Sequence, residues 1–362
     1  MFTVSETPSS AAARALVARL QRALQLRLEA LPGAPRFAPA SWLRDDGRHG
    51  GGERQETSDL DAGASDNPAP LFNRASLNTS HVQYDDDASR PLRSATALSC
   101  IIHPRAPRVP SLHTHISWTE MRNGRGVWRL MADLNPSLEV AADAAHFSGA
   151  IAAVVAVRAG LDVARAAVTD GDRYFHIPAL NRHRGVAHFY VEGYSSGDSA
   201  DAFASDLAFA EAFGDAVIAT YADIAAAALA REASADADGD GRRQLAYHTA
   251  YLFQVLTLDR GTTSGLMVHD QNDVGIMGSL PNRVDKALLA SWADRVPELQ
   301  RPLVLALAAA LPAGNDGVSV VDGDVRLALA AVVREHYKKH PEALELQARG
   351  SVIPPTVANH RP

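Results

Sequence analysis

The octapeptide HPRAPRVP, residues 103–110, puts three prolines between two apolar, β-branched runs, TALSCII (96–102) and SLHTHISWTE (111–120). Proline fixes φ and removes a backbone donor, so no helix passes through this connection. The two runs read as strands joined by an irregular loop. On the second strand His113, His115 and Ser117 fall at alternate positions. Alternate residues of a strand point to one face, so both imidazoles and the hydroxyl look the same way. A metal pair, an acid–base pair and two surface histidines are all open at this point.

The surrounding chain sets what such a hairpin can join. Residues 11–31 carry helical periodicity, ended by Pro32 and Gly33. Residues 44–70, rich in Gly, Asp and Ser, read as a loop or insertion. Strands are expected over 126–133, 186–191 and 248–258, a buried Ala-rich helix over 138–159, and a helix over 199–232. LDRGTTSGL (258–266) reads as a turn leading into a hairpin that ends near MGSLPNRV (277–284). Ala/Leu-rich helices follow at 286–311 and 324–338. Strands and helices do not alternate regularly, which disfavours a doubly wound parallel sheet. The pattern fits an α+β fold: a large, mainly antiparallel sheet flanked by helices. Residues 1–285 are expected to form the main domain, with 286–362 a helical extension packed on it.

Composition narrows the function classes. The net charge of −7, with no dense basic run, argues against a nucleic-acid partner. Cys100 is the single cysteine, which rules out a disulfide within the chain and a CxxC site, and fits a cytoplasmic setting. The N-terminus lacks a secretory-signal pattern, and with no apolar run of about 18 residues a membrane span is not expected. DADGDG (236–241) opens like a calcium loop, but its twelfth position is Tyr247, which cannot supply the carboxylate, so it reads as an exposed turn. GRHGGG (47–52) lacks the Lys-Ser/Thr of a phosphate loop and the spacing of a dinucleotide fingerprint. No organic cofactor site is visible.

A collinear series of segments carries a resemblance. It comprises LNTSHV (77–82), ALSCIIHPRAPRVPSLH (97–113), ADLNPS (132–137), DAAHF (143–147), YFHIP (174–178), RGVAHFYVEG (184–193), LDRGTTSGL and SLPNRV (279–284). In order and spacing these resemble the oxygen-dependent coproporphyrinogen III oxidase family, from about residue 11 to 285. The resemblance implies a large antiparallel sheet flanked by helices, usually in a homodimer. It also implies oxidative decarboxylation of propionate side chains with O2 and no organic cofactor. It assigns His113 an acid–base role, Ser99 a substrate contact, Asp133 a catalytic place, and the pair Asp259 and Arg260 the grip on a substrate N–H and a carboxylate. Arg184 matches the arginine that precedes a glycine-rich strand, and His103 a further histidine of the hairpin.

The departures bear on the substrate. Ser117 stands where the family has an arginine, Leu180 and Asn181 fall in a segment that has lost a histidine and an arginine, and His269-Asp270-Gln271 replaces a Gly-Gly-Arg. Charged hydrogen bonds contribute about 1.5–3 kcal/mol each, so losing about three arginines weakens the hold on a tetracarboxylate by several powers of ten. The expected substrate is therefore a smaller, non-porphyrin carboxylate, held by Arg260 or Arg184 beside Ser99 and Ser117. His115 and His188 are gained relative to the family. With His113, and with Asp133 as a carboxylate ligand, they would suit Fe, Cu or Zn. Polar residues in a remodelled cleft are the plainer reading. Asp133 is also open to a role as a helix cap, and Asp259 with Arg260 to one as a turn-stabilising ion pair. His49, His248, His336, His340 and His360 read as surface residues. Two other functions stay in play: a genuine coproporphyrinogen III oxidase of haem biosynthesis, and a non-catalytic ligand-binding homologue.

Overall fold

The proline-rich connection joins neighbouring strands in one antiparallel sheet. The computed structural model describes residues 2–60, 71–231, 236–268, 276–351 and 356–360. After helix α1 (Pro8–Glu29) come β1 (Ala38–Leu43), β2 (Gly50–Ser58), β3 (Phe72–Gln83), β4 (Leu92–Pro104), β5 (Ser111–Met121) and β6 (Gly126–Asn135). Helices α2 (Ala141–Ala159) and α3 (Leu161–Phe175) follow, then the two-residue pair β7 (His176–Ile177) and β8 (Arg182–His183), and finally β9 (Ala187–Tyr194). The main sheet has the order β1-β2-β3-β4-β5-β6-β9, with every neighbour antiparallel.

Period-two alternation gives this sheet one apolar face. Leu98, Cys100 and Ile102 on β4, Leu112, Ile116 and Trp118 on β5, and Trp128, Leu130, Ala132 and Leu134 on β6 share one core. α1 covers it with Leu16, Val17, Leu20, Leu24 and Leu28, spaced for one helical stripe. Thr7 caps α1 by accepting from the Ser10 amide, and Pro8 opens its first turn. Helix α4 (Ala200–Ala230) adds Phe209, Phe213, Val217 and Tyr221. Each large side chain fully buried here contributes about 1.5–3 kcal/mol.

The opposite face of the sheet meets a second core. Helices α5 (Ala237–Thr257), α6 (Arg260–Val268), α7 (Lys286–Ser291), α8 (Arg301–Ala310) and α9 (Gly323–Lys339) pack together around the small hairpin of β10 (Arg283–Asp285) and β11 (Val318–Val320). Leu252, Phe253, Leu256, Trp292, Leu307 and Val333 belong to this core, which reaches the sheet through Ile101. The sheet is thus a middle layer, and its polar face is walled by the second core.

Several elements differ from the sequence expectation. Within 44–70, Gly50–Ser58 is strand β2, not loop; Gly51 and Gly52 lie where a Cβ would strike Trp42 and neighbouring backbone, so bare glycine is what the strand packing needs there. Residues 61–70 lie outside the described residues. The expected strand over 248–258 is the second half of α5. His248 through Thr257 are all buried, so the helix has no polar face to show its period. DADGDG is not an exposed turn but the start of α5, with the Asp236 carboxylate accepting from the Gly239 amide at 3.0 Å. LDRGTTSGL is largely helix α6 rather than a turn. His248, His49 and His336 are buried, not at the surface. α2 buries only Phe147, Ile151 and Val155. By length and composition alone, α2 and α4 are apolar enough to cross a membrane, although α4 lies mostly inside the core.

α3 covers the edge of β9, and Gly171 allows it. A Cβ at Gly171 would lie 2.8 Å from the His188 carbonyl carbon. Gly171→Val is therefore expected to cost about 1–3 kcal/mol. Denaturant unfolding measures it, and an unchanged midpoint would show that α3 does not depend on this approach.

Candidate active site

Two adjacent cross-strand rows on the polar face carry most of the candidate residues. One row runs Ser76–Ile101–His113–Asp133–His188 across β3, β4, β5, β6 and β9. The other runs Asn78–Ser99–His115–Met131–Tyr190. Ser117 pairs with Arg129 in the next row. The spacing of two that aligned His113, His115 and Ser117 on one strand thus extends across neighbouring strands by register.

The centre of the site is a three-residue chain in which Asp133 and Arg184 are buried and His113 is half-buried. His113 Nδ1 lies 2.6 Å from Asp133 Oδ1. Arg184 grips the same carboxylate with Nη2 at 2.8 and 3.0 Å and Nε at 3.1 Å. Asn135 Nδ2 donates to Asp133 Oδ2 at 2.6 Å. The remaining Arg184 nitrogen, Nη1, donates to Gln254 Oε1 at 2.7 Å, and the guanidinium lies over the rings of Phe175 and Tyr251. Burial opposes ionisation of Asp133, but Arg184 and then His113 outweigh it, holding the carboxyl well below its ordinary range. Asp133 is therefore an anion that accepts from an Nδ1–H of His113, and it fixes that imidazole's tautomer.

This geometry corrects two roles. Arg184 cannot also take a substrate carboxylate: its side chain is 2% exposed and its donors face Asp133 and Gln254. Asp133 is neither a helix cap nor a metal ligand, because it sits inside β6 and its two oxygens already accept four donor groups. The turn that returns Arg184 to Asp133 uses Gly185, at φ 141°, where a Cβ would lie 2.6 Å from the Leu134 carbonyl oxygen.

The three histidines proposed as metal ligands have separate partners. His115 Nε2 is 3.0 Å from Ser117 Oγ. Burial, then Arg129 and His113, hold the pKa of His115 far below the ordinary value, so it is neutral. His188 Nδ1 is 2.8 Å from Asp172, and burial lowers its pKa as well. The Phe175 ring stands 6.1 Å from the His113 ring and 5.5 Å from the His188 ring, flanked by both. Among the described residues no group of three or more His, Cys, Asp or Glu side chains is placed to hold a metal ion. The expected Fe, Cu or Zn centre on His113, His115 and His188 is therefore not formed, and no step is derived through one.

Asp259 and Arg260 occupy the rim beside this face. Asp259 Oδ1 accepts from the Thr262 amide at 2.6 Å, capping α6, and Oδ2 accepts from the Tyr174 hydroxyl at 2.9 Å. The Tyr174 ring lies tilted against that of Tyr190, whose hydroxyl bonds to Glu192, and Glu192 accepts from Arg129 Nε at 2.5 Å. Among the described residues Arg260 makes one long contact, Nη2 to the Leu344 carbonyl at 3.3 Å, and its buried Nε has no hydrogen-bond partner. Asp259 and Arg260 do not pair with each other among the described residues, so the ion-pair reading of that turn fails. His103 is fully buried between Ser111 and the Ser279 carbonyl and is held neutral by burial. His269-Asp270-Gln271 lies outside the described residues.

Asn135, Gln254, Phe175, Asp172, Tyr174 and Arg129 were not singled out by sequence. Arg129 carried a signal, the same strand parity as Asp133; Gln254 and Asp172 reach the site only through tertiary packing.

Buried neutral histidines make stability pH-dependent. Burial lowers the pKa of His248 to about 3 and of His81 to about 4. The Ser5 amide donates to His81 Nε2 at 3.1 Å, which requires that nitrogen unprotonated. A histidine with a depressed folded pKa favours the unfolded chain once protonated. Its stabilising contribution is complete above about pH 6.5 and is lost as pH falls toward 3–4. A tenfold change in a proton-binding constant corresponds to about 1.4 kcal/mol, so the unfolding free energy is expected to drop by more than that between pH 7 and pH 5. Urea titrations at the two pH values check this; equal midpoints would contradict it.

A family model described as coproporphyrinogen III oxidase matches residues 12–294.

Proposed function

The chain belongs to the coproporphyrinogen III oxidase family, and from that premise we propose that it is an oxygen-dependent oxidative decarboxylase of a carboxylate smaller than coproporphyrinogen. The observation that carries this reading is the chain His113–Asp133–Arg184, an oriented imidazole on the polar face of the sheet, kept beside a cleft that lacks several of the arginines the resemblance implies.

In this reaction class a propionate side chain becomes a vinyl group. The C–COO⁻ bond breaks to release CO2, and one C–H bond on the carbon two along from the carboxylate breaks. The two electrons released, with one proton from that C–H and one from solvent, convert O2 to H2O2. His113 is the group suited to the proton. Its Nδ1–H is committed to Asp133, which leaves Nε2 as the basic atom, and its side chain is 14% exposed. Asp133 and Arg184 are positioning residues that act through His113. Arg260, whose Nε has no partner among the described residues, is the guanidinium available for the substrate carboxylate. Ser99, His115 and Ser117 offer short neutral polar groups, which suit a compact substrate better than several carboxylates.

The test is stoichiometry. Pyrrole and aryl propionates are incubated with the protein under air, and O2, CO2 and H2O2 are followed together. Equal uptake and release, abolished in Arg260→Ala, supports the reading. Absence of O2 uptake with every propionate, coproporphyrinogen III included, while they bind, would favour a non-catalytic binding protein.

A further inference from the structure

A cavity of about 420 Å³ lies between the end of β6, the β8–β9 turn and the first half of α5, and Ser99, His115 and Ser117 do not line it. That volume is within the range of small-molecule sites. Its lining carries three arginines, Arg182, Arg184 and Arg243, with His183 and Tyr247, against one carboxylate, Glu139. Glu139 is exposed at the rim, where solvent and salt screen it.

Arg182 is the uncommitted donor here, and Arg243 is partly committed. Arg182 is exposed, and its guanidinium makes no ion pair or hydrogen bond with a described residue, while the backbone pairing of Ile177 with Arg182 fixes its base. Arg243 gives Nη1 to Asp240 at 2.7 Å, but Nη2 stands 3.9 Å from Asp236, too far for a hydrogen bond. The Tyr247 hydroxyl is buried, and among the described residues its polar neighbour is Ser111, with no hydrogen bond of good geometry. Arg184, at the floor, is buried and held in place by Asp133 and Gln254. A buried donor without a partner is costly unless something supplies an acceptor.

We infer that this cavity is an anion site, separate from the His113 cleft, for a small ligand bearing at least two negative charges on oxyanion groups. Arg182 and Arg243 bind it from two sides. The chemistry is shared by dicarboxylates and phosphate esters, and succinate and inorganic phosphate are the probes.

Calorimetric titration of the full chain with each probe, at ionic strength matched with sodium chloride, tests the site. Saturable binding of at least one probe is expected, weakened at least tenfold in the double variant Arg182→Gln/Arg243→Gln and unchanged in Arg260→Gln. Both replaced arginines are exposed, and circular dichroism checks that the variant folds. Succinate binding alone identifies a carboxylate ligand and phosphate binding alone a phosphate ester. No saturable binding, undiminished binding in the double variant, or loss of binding in Arg260→Gln would each overturn the inference.

Discussion

His113→Ala is expected to lower the oxidation rate by about 10²–10⁴-fold, the usual contribution of a positioned proton-transfer group. The fold should survive, because the imidazole lies on the polar face of the sheet and keeps 14% of its surface exposed. Asp133 keeps its bonds to Arg184 and Asn135, so the remaining carboxylate is still paired. Substrate-dependent O2 uptake measures the effect, with thermal unfolding alongside. Loss of activity with an unchanged unfolding temperature is the predicted outcome. Retained activity would remove His113 from the chemistry.

Asp133→Ala is expected to act first on stability. Arg184 would keep its charge with a side chain that is 2% exposed and no carboxylate to face. Breaking a buried pair by removing one partner costs about 3–5 kcal/mol. The double variant Asp133→Leu/Arg184→Met removes both charges and is expected to regain much of that loss, since apolar replacement of a whole buried pair is often near neutral. Activity is not expected to return with it, because His113 loses the acceptor that orients it. Denaturant unfolding of the two variants separates these effects. If the double variant is no more stable than Asp133→Ala, the pair is not the source of the loss. If the double variant regains activity, Asp133 does not position His113.

The sequence was most legible where periodicity and punctuation agreed. Alternating side chains on β4 and β5 and the three prolines between them identified both strands and the shared face of His113, His115 and Ser117. The second half of α5 was hidden because His248 through Thr257 are all buried, and β2 because its first three residues are glycines. At the site, strand parity placed His113 and His115 on one face, and the family resemblance added Asp133 and His188. It could not say that Asp133 would be claimed by Arg184, 51 positions away, or that Phe175 would stand between two histidines. Those facts depend on the turn at Gly185 and on α3 closing over β9 at Gly171, and both are tertiary. The metal centre failed for this reason: shared face and proximity in register are necessary for ligation, but each imidazole had a nearer partner.

The substrate is the central point, and one comparison addresses it most directly. Oxygen uptake by the wild-type protein is measured with coproporphyrinogen III and with pyrroles bearing a single propionate, each over a range of concentrations. A polar face that offers Ser99, His115 and Ser117, and Arg260 as its available guanidinium, predicts a higher kcat/KM for the monopropionate, with CO2 released for each O2 consumed. Turnover of coproporphyrinogen III at higher kcat/KM than every single-propionate substrate would contradict it.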